Sequence, residues 1–416
     1  MKTPATIWLV VILTVAFTLR LGTGAWWQSR LPGDREFGFG DSETYWALGR
    51  TIARGEPYEY GPLRAKMFRT PGYPVLLAPL FWIKGANPPV LWARVEAALL
   101  GTVAAGGVGW LSWRLFGTRA GWFGVMLSAF YPGAIATGAL VLSEAPFGPA
   151  MLAHLALWIE AWKTPSPKAT GGWALAAGVA AGVATLIRPS WLLFLPFGAL
   201  AGLLLADGRK RQLGIAATMG LGLVVVMTPW WVRGVRLTGH FVPTTLQVGA
   251  SLYDGLGPQA TGASDMDFVS RFVQEERRRE ADPETLEYRL DRRMRDEALA
   301  WARAHPAEVV RLAGVKFCRM WNLWPNEPRF SSWGLRLVIL LSYLPVVVLA
   351  VAGVVMTFRR GLPYMLCWLP AVYFTGLHMI FVSSIRYRQP AMLGLIVLAA
   401  GVLATWKAEG RRSDRG

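Results

Sequence analysis

Ten stretches of this chain carry no charge over about 16–25 residues, and roughly twenty apolar residues suffice for a helix to cross the hydrocarbon core of a bilayer. They are residues 3–19, 97–113, 120–141, 145–159, 171–187, 190–206, 213–232, 337–358, 361–385 and 391–406. At 53% hydrophobic residues the chain is only a little richer than a soluble domain. The clustering, more than the total, excludes a soluble fold. The pattern predicts an all-α integral membrane protein with about ten transmembrane helices. Residues 3–19 have the look of a signal peptide as well, but the apolar stretch is long for one and no small-residue cleavage site follows, so we read a first span.

Counting charge by side orients these spans. With Lys2 cytoplasmic, the short inner segments carry Arg114 and Arg119, then Lys163 and Lys168, then Arg209, Lys210 and Arg211, then Arg359 and Arg360, and finally Lys407, Arg411, Arg412 and Arg415. Basic inner turns are what the positive-inside rule requires. The same rule accounts for the net charge of +17, which in a soluble protein would suggest nucleic acid. Both termini are therefore expected in the cytoplasm of a cell that keeps this protein in its inner membrane. The organisation that follows is a first span (1–27), a first extracytoplasmic loop with interfacial helices (28–96), a bundle (97–233), an extracytoplasmic helical domain (234–335), three last spans (336–407) and a short, basic, disordered cytoplasmic tail (408–416). The apolar stretch 75–83 is too short to span and reads as interfacial or re-entrant. Pro132 and Pro229 are each expected to break a span. Residues 265–304 read as helical, with Phe268, Phe272 and Val273 on one face and Pro283 opening a second helix.

Two cysteines, Cys318 and Cys367, supply neither a disulfide framework nor zinc spacing. Four scattered histidines offer no metal cluster. The chemistry-bearing residues fall instead at the outer membrane boundary. Asp41, Glu43 and Tyr45 lie in GDSETY and Arg69 in FRTPGYP. Glu144 lies in LSEAP, Arg188 in IRPSW, Arg386 and Arg388 in SIRYRQP, and Lys316 on the helix ending the large loop. Any one of these is equally well read as an anchor whose head reaches the interface. As a group they are not, because outer turns should be poor in arginine and charge beside apolar helix ends is costly unless paired or functional. Arginine matches phosphate oxygens with two hydrogen bonds, and a nearby carboxylate can take a proton from a hydroxyl. The combination suits a transferase acting on a lipid-phosphate donor.

On GDSETYWALGRTIARG, FRTPGYPVLLAPLF, LSEAPF, IRPSWLLFLP, HPAEVVRLAGVKFCRMWNLWP and RYRQPAML, in that order, the chain resembles the GT-C membrane glycosyltransferases. It is most similar to protein O-mannosyltransferases and the bacterial lipid A aminoarabinose transferase. The resemblance implies a GT-C architecture and an inverting transfer of a sugar from a polyprenyl-phosphate donor to an acceptor hydroxyl, on the extracytoplasmic face. It implies Asp41 as the catalytic carboxylate and Arg69, Arg386 and Arg388 as donor-phosphate ligands, and it matches Arg188, Glu43 and Glu144 as positions. We count Arg188 with the phosphate ligands, and Glu43, Glu144 and, from their place at the outer boundary, Lys316 and Tyr45 as supporting residues. Protein O-mannosyltransferases carry Asp-Glu adjacent and a β-trefoil insert. Here Ser42 separates Asp41 from Glu43 and the large loop reads as helical, so the acceptor stays open among lipid, glycan and protein. No cofactor is required. Asp41, Glu43 and Glu144 are oxygen donors of the kind that suit Mg²⁺ or Ca²⁺, while the plainer reading has Glu43 facing water and Glu144 favoured at a helix start by the dipole. A transporter or flippase of a lipid-linked sugar, a ligase using a pyrophosphate-linked donor and a non-catalytic scaffold are the rival readings.

Overall fold

The structure, a computed structural model, describes residues 4–32, 36–278, 285–325 and 332–413. Lys2, Pro283 and Arg415, which the sequence reading used, lie outside the described residues. Among the described residues the chain is helical, with seventeen α-helices and no named strand; one isolated bridge pairs Tyr60 with Ala65. Helix α1 (Pro4–Arg30) enters the bundle, and α2 (Gly40–Ala53) and α3 (Gly72–Lys84) follow in the first loop. The middle of the bundle comprises α4 (Leu91–Phe116), α5 (Thr118–Phe130), α6 (Pro132–Ala139), α7 (Glu144–Lys163), α8 (Pro167–Ile187), α9 (Phe194–Leu205) and α10 (Arg209–Thr238). Then come α11 (Val248–Leu256), α12 (Phe268–Arg277), α13 (Leu286–Ala304) and α14 (Pro306–Trp321), and last α15 (Trp333–Thr357), α16 (Leu362–Ile380) and α17 (Gln389–Ser413).

This is a multi-pass membrane protein, but the ten blocks do not all become full-length spans. By length and composition five helices among the described residues can cross a bilayer: α1, α4, α8, α10 and α15. The block 120–141 is broken, because Pro132 has no N–H to continue the ladder of α5 and a new helix starts at that residue. Helices α6 and α7 then meet at 117°. Pro189–Leu205 and Gln389–Thr405 are apolar but shorter. The expectation for Pro229 needs correcting the other way: it sits inside an unbroken α10. The last helix also runs to Ser413, past the point where a disordered tail was expected.

The break after α5 explains a buried charge. Without an N–H on Pro132, the carbonyl of Ser128 loses its helical partner. Arg20, fully buried in α1, donates to that carbonyl at 3.0 Å and to Ala129 O at 3.2 Å. Glycines make the room, since a Cβ on Gly138 would lie 2.8 Å from Arg20 Cδ. Small residues likewise let α8 and α10 meet backbone to backbone: a Cβ on Gly178 would lie 2.0 Å from Met219 O. The main core runs through α4, α7, α8, α10, α16 and α17 and contains Phe147, Trp158, Trp191, Phe194 and Phe374. A second, smaller core joins α11, α12 and α13 around Phe272, Leu290 and Met294, so the expected helical stretch folds as two helices with Phe272 inward.

Basic residues gather at one end of the bundle. Arg114, at the end of α4, binds Glu160 of α7 at 2.6 Å, Lys163 donates to Arg114 O at 3.1 Å, and Arg211 at the start of α10 donates to Ala161 O at 3.3 Å. The loop between α1 and α4, the start of α7, the turn after α8 and the turn before α17 meet at the other end.

Candidate functional site

Two carboxylates sit in the first turns of helices, Asp41 in α2 and Glu144 in α7, where the helix dipole favours negative charge. Three arginines come from turns. Arg69 precedes α3 in a loop that Pro71 stops from continuing as helix. Arg188 is the extended residue that caps α8, held out of the helical region by Pro189. Arg386 lies between α16 and α17. These five side chains form a line of alternating sign. Arg69 Nη2 donates to Asp41 Oδ1 at 2.6 Å, and Arg386 Nη1 and Nη2 donate to Asp41 Oδ2 at 3.3 Å. Arg386 Nε and Nη2 also bind the Glu144 carboxylate, the latter at 3.2 Å, and Arg188 Nη1 completes the line at 3.0 Å from Glu144 Oε1.

Burial differs between the two carboxylates of this line. The Glu144 side chain is 1% exposed and that of Arg188 9%, whereas Asp41 is 37% exposed. Asp41 is therefore the carboxylate that a molecule arriving from outside meets. Burial alone would raise its pKa, but the guanidiniums of Arg69 and Arg386 outweigh burial and hold it below the usual carboxylate range. The Arg69 and Arg386 guanidiniums are shifted up against burial, Arg386 chiefly by Glu144 and Arg69 by Tyr45 and Asp41.

Aromatic rings fix the arginines in orientation. The Arg69 guanidinium lies 5.4 Å from the Tyr45 ring centre and 4.8 Å from that of Phe68. Tyr387 lies 5.7 Å from both Arg188 and Arg386 and stacks on His378 at 4.2 Å. Gln247 accepts from Arg69 Nη1 at 2.7 Å. Within this line two donors, Arg69 Nε and Arg188 Nε, are buried with no hydrogen-bond partner among the described residues. Leaving such a group unpaired costs about 1–3 kcal/mol, which the oxygens of a bound anion would relieve.

Not every expected residue joins the group. Arg388 is buried elsewhere: it donates to Met320 O at 3.1 Å and to Asn322 O at the end of α14, and packs on the Tyr343 ring at 3.7 Å. Lys316 donates to Gly255 O at 2.7 Å and Ile380 O at 2.6 Å, so it ties the ends of α11 and α16 together. Burial pushes its ammonium down to about 8, with Asp254 offsetting only part of the effect. Glu43 is exposed, while Asp41 and Glu144 are both occupied by Arg386. The three carboxylates are not assembled as a cation site, and among the described residues no group of three His, Cys, Asp or Glu is placed to hold a metal ion. The sequence reading missed Gln247, Tyr387 and His378. Tyr387 stands between two noticed arginines and carried a usable signal, whereas Gln247 lies in an unremarkable polar stretch.

With the geometry in hand, residues 70–232 match the dolichyl-phosphate-mannose-protein mannosyltransferase family. Among solved structures the chain is similar to the archaeal oligosaccharyltransferase AglB from Archaeoglobus fulgidus, in complex with an inhibitory peptide and a dolichol-phosphate (TM-score 0.61, 15% identity, 97% of this chain and 51% of that one). It is similar to the Archaeoglobus fulgidus oligosaccharyltransferase in complex with Zn and sulfate (TM-score 0.57, 16% identity, 98% and 50%). A weaker likeness is to ArnT from Cupriavidus metallidurans bound to undecaprenyl phosphate (TM-score 0.48, 17% identity, 97% and 78%). The chain spans about half the length of the oligosaccharyltransferases it matches. No curated protein sequence matches it. The fold is GT-C, as the sequence resemblance implied.

Proposed function

We propose, on the premise of a GT-C fold, that this chain is an inverting glycosyltransferase. It moves a sugar from a polyprenyl-phosphate donor to an acceptor hydroxyl on the extracytoplasmic face of the membrane. The observation that carries the reading is the line Arg69–Asp41–Arg386–Glu144–Arg188, gathered from five separate segments at one end of the bundle. Three guanidiniums against two carboxylates leave a net positive site, with Asp41 its most exposed member. The end bearing Arg114, Lys163 and Arg211 is the basic one, and the positive-inside rule assigns it to the cytoplasm. That leaves the site outside, with both termini inside.

In this reading the donor lipid lies along the bundle with its phosphate on Arg69, Arg188 and Arg386. The acceptor O–H gives its proton to Asp41 while its oxygen bonds to the anomeric carbon. The carbon–oxygen bond to phosphate breaks with its electron pair, and the phosphate gains one negative charge, which the arginines stabilise. Attack opposite the leaving phosphate inverts the centre. Asp41 is a weak base while two arginines hold it. When donor phosphate draws Arg69 and Arg386 away, its basicity rises, so donor binding precedes proton abstraction. The acceptor stays a class, a hydroxyl of a lipid, a glycan or a protein. No divalent cation enters the reading.

The test is release of free polyprenyl phosphate from labelled polyprenyl-phosphate sugar by purified protein with a membrane extract as acceptor source. Asp41→Asn abolishes release while Tm stays unchanged. Release by Asp41→Asn at the wild-type rate overturns the assignment. Transbilayer movement of intact donor, with no bond cleaved, supports the transporter reading in its place.

A further inference from the structure

Arg69 is held by more than Asp41. Its second amino group rests on Gln247, at 2.7 Å from Oε1. Gln247 caps the start of α11, and the residue before it, Leu246, donates its N–H to Met67 O at 3.0 Å in the loop that carries Arg69. The same loop is gripped from a second side. Glu287, in the first turn of α13, accepts the Lys66 N–H at 2.8 Å and the Met67 N–H at 3.1 Å. One turn on, Asp291 accepts the Gly249 N–H at 2.6 Å, which fixes α11 itself. The fit allows only glycine there, since a Cβ on Gly249 would lie 1.8 Å from Asp291 O. Both grips on Arg69 therefore trace back to α13, a helix that carries none of the five charged site residues.

The two acceptors on Arg69 differ in kind. Asp41 neutralises its charge. The Gln247 amide oxygen orients the guanidinium without neutralising it, leaving the charge available to an incoming anion. When Asp41 lets go, Gln247 is what keeps the fork pointed.

We infer that Gln247 and Glu287 are positioning residues for Arg69, Gln247 through its guanidinium and Glu287 through the backbone of its loop. The inference rests on the reading of Arg69 as a ligand of the donor phosphate, and it makes the α11–α13 region part of donor binding. Gln247→Glu puts a second carboxylate on Arg69 in nearly the same shape. Affinity for the phosphate falls about tenfold or more, the size of one charged hydrogen bond. The effect appears as a raised KM for donor with a smaller change in kcat. Gln247→Met, which lacks the acceptor, gives a smaller loss in the same direction. Glu287→Gln leaves one amide oxygen to accept both backbone N–H groups and turns its N–H₂ toward that of Met67, so the loop is held less firmly and donor binding weakens.

The experiment measures binding of undecaprenyl phosphate to purified protein in detergent, by tryptophan fluorescence, for wild type, Gln247→Glu, Arg69→Ala and the double variant. The expected result is weaker binding by Gln247→Glu at unchanged Tm, with no additional loss in the Arg69→Ala background. If wild type does not bind the lipid phosphate, the functional reading itself falls. If wild type binds and Gln247→Glu binds equally well, or loses the same factor with Arg69 absent, the positioning inference alone is overturned.

Discussion

Removing the Glu144 carboxylate is the sharpest perturbation of the charged line. Glu144→Ala strips Arg188 of its ion-pair partner and leaves its guanidinium, among the described residues, the Ser143 Oγ hydrogen bond at 3.3 Å and the Phe147 and Tyr387 rings, in a place where its side chain is 9% exposed. Arg386 keeps Asp41 and suffers less. Deleting one member of a buried pair typically costs about 3–5 kcal/mol, because the other charge stays buried and unpaired. With an unfolding entropy of about 2.1 cal/mol/K per residue over 416 residues, Tm falls by about 3–6 °C. Thermal unfolding in detergent, followed by intrinsic fluorescence, measures it. A companion variant separates stability from function. Replacing the trio together, Glu144→Leu with Arg188→Met and Arg386→Met, removes every charge that would be stranded. Such swaps are often neutral or stabilising, so Tm returns to within a few degrees of wild type while donor binding and transfer are lost. A Tm for Glu144→Ala equal to wild type would refute the reasoning, since it would mean the network is water-screened and of little energetic consequence.

Three further outcomes follow from the same geometry. Asp41 is held ionised below the usual carboxylate range. A depressed acid loses its charge only as pH falls through its own lower pKa, so kcat/KM, which reports the free enzyme, persists at pH 5 and declines below the ordinary carboxylate value of about 4; a kcat/KM profile with an acid limb near 6 contradicts this. Gly72→Ala drives a Cβ to 2.5 Å from the Leu186 backbone and pushes the start of α3, and with it the Arg69 loop, off the end of α8. Its donor KM rises while Tm drops. Arg20→Met leaves the Ser128 and Ala129 carbonyls without their donor, a loss of about 1–3 kcal/mol in Tm measurements, with donor affinity unchanged because Arg20 lies outside the site.

Much of this was legible in the residues. Uncharged blocks and basic turns mark the helices and the two ends of the bundle. Charge at apolar helix ends singled out Asp41, Arg69, Glu144, Arg188 and Arg386, which the fold brings into one line. Periodicity and composition could not separate Arg386 from Arg388, two residues apart in the same turn. Only the backbone direction before α17 sends one to Asp41 and the other to the end of α14. Lys316 looked like a site residue for a related reason: buried cations also serve to tie off helix carbonyls, and sequence does not tell which use a lysine has. Arg20 was hidden because its role depends on a proline more than a hundred residues away. Gln247 was hidden because a neutral amide leaves no charge signature, although it touches the same guanidinium as Asp41.

The central claim is that this line of charges is a lipid-phosphate transfer site with Asp41 as its base. It is tested most directly by single-turnover reaction of labelled polyprenyl-phosphate sugar with wild type and Asp41→Asn under identical donor saturation. The account predicts inverted product and free polyprenyl phosphate from wild type, and bound but uncleaved donor on Asp41→Asn. Cleavage by Asp41→Asn at the wild-type rate, or product with retained anomeric configuration, would contradict it.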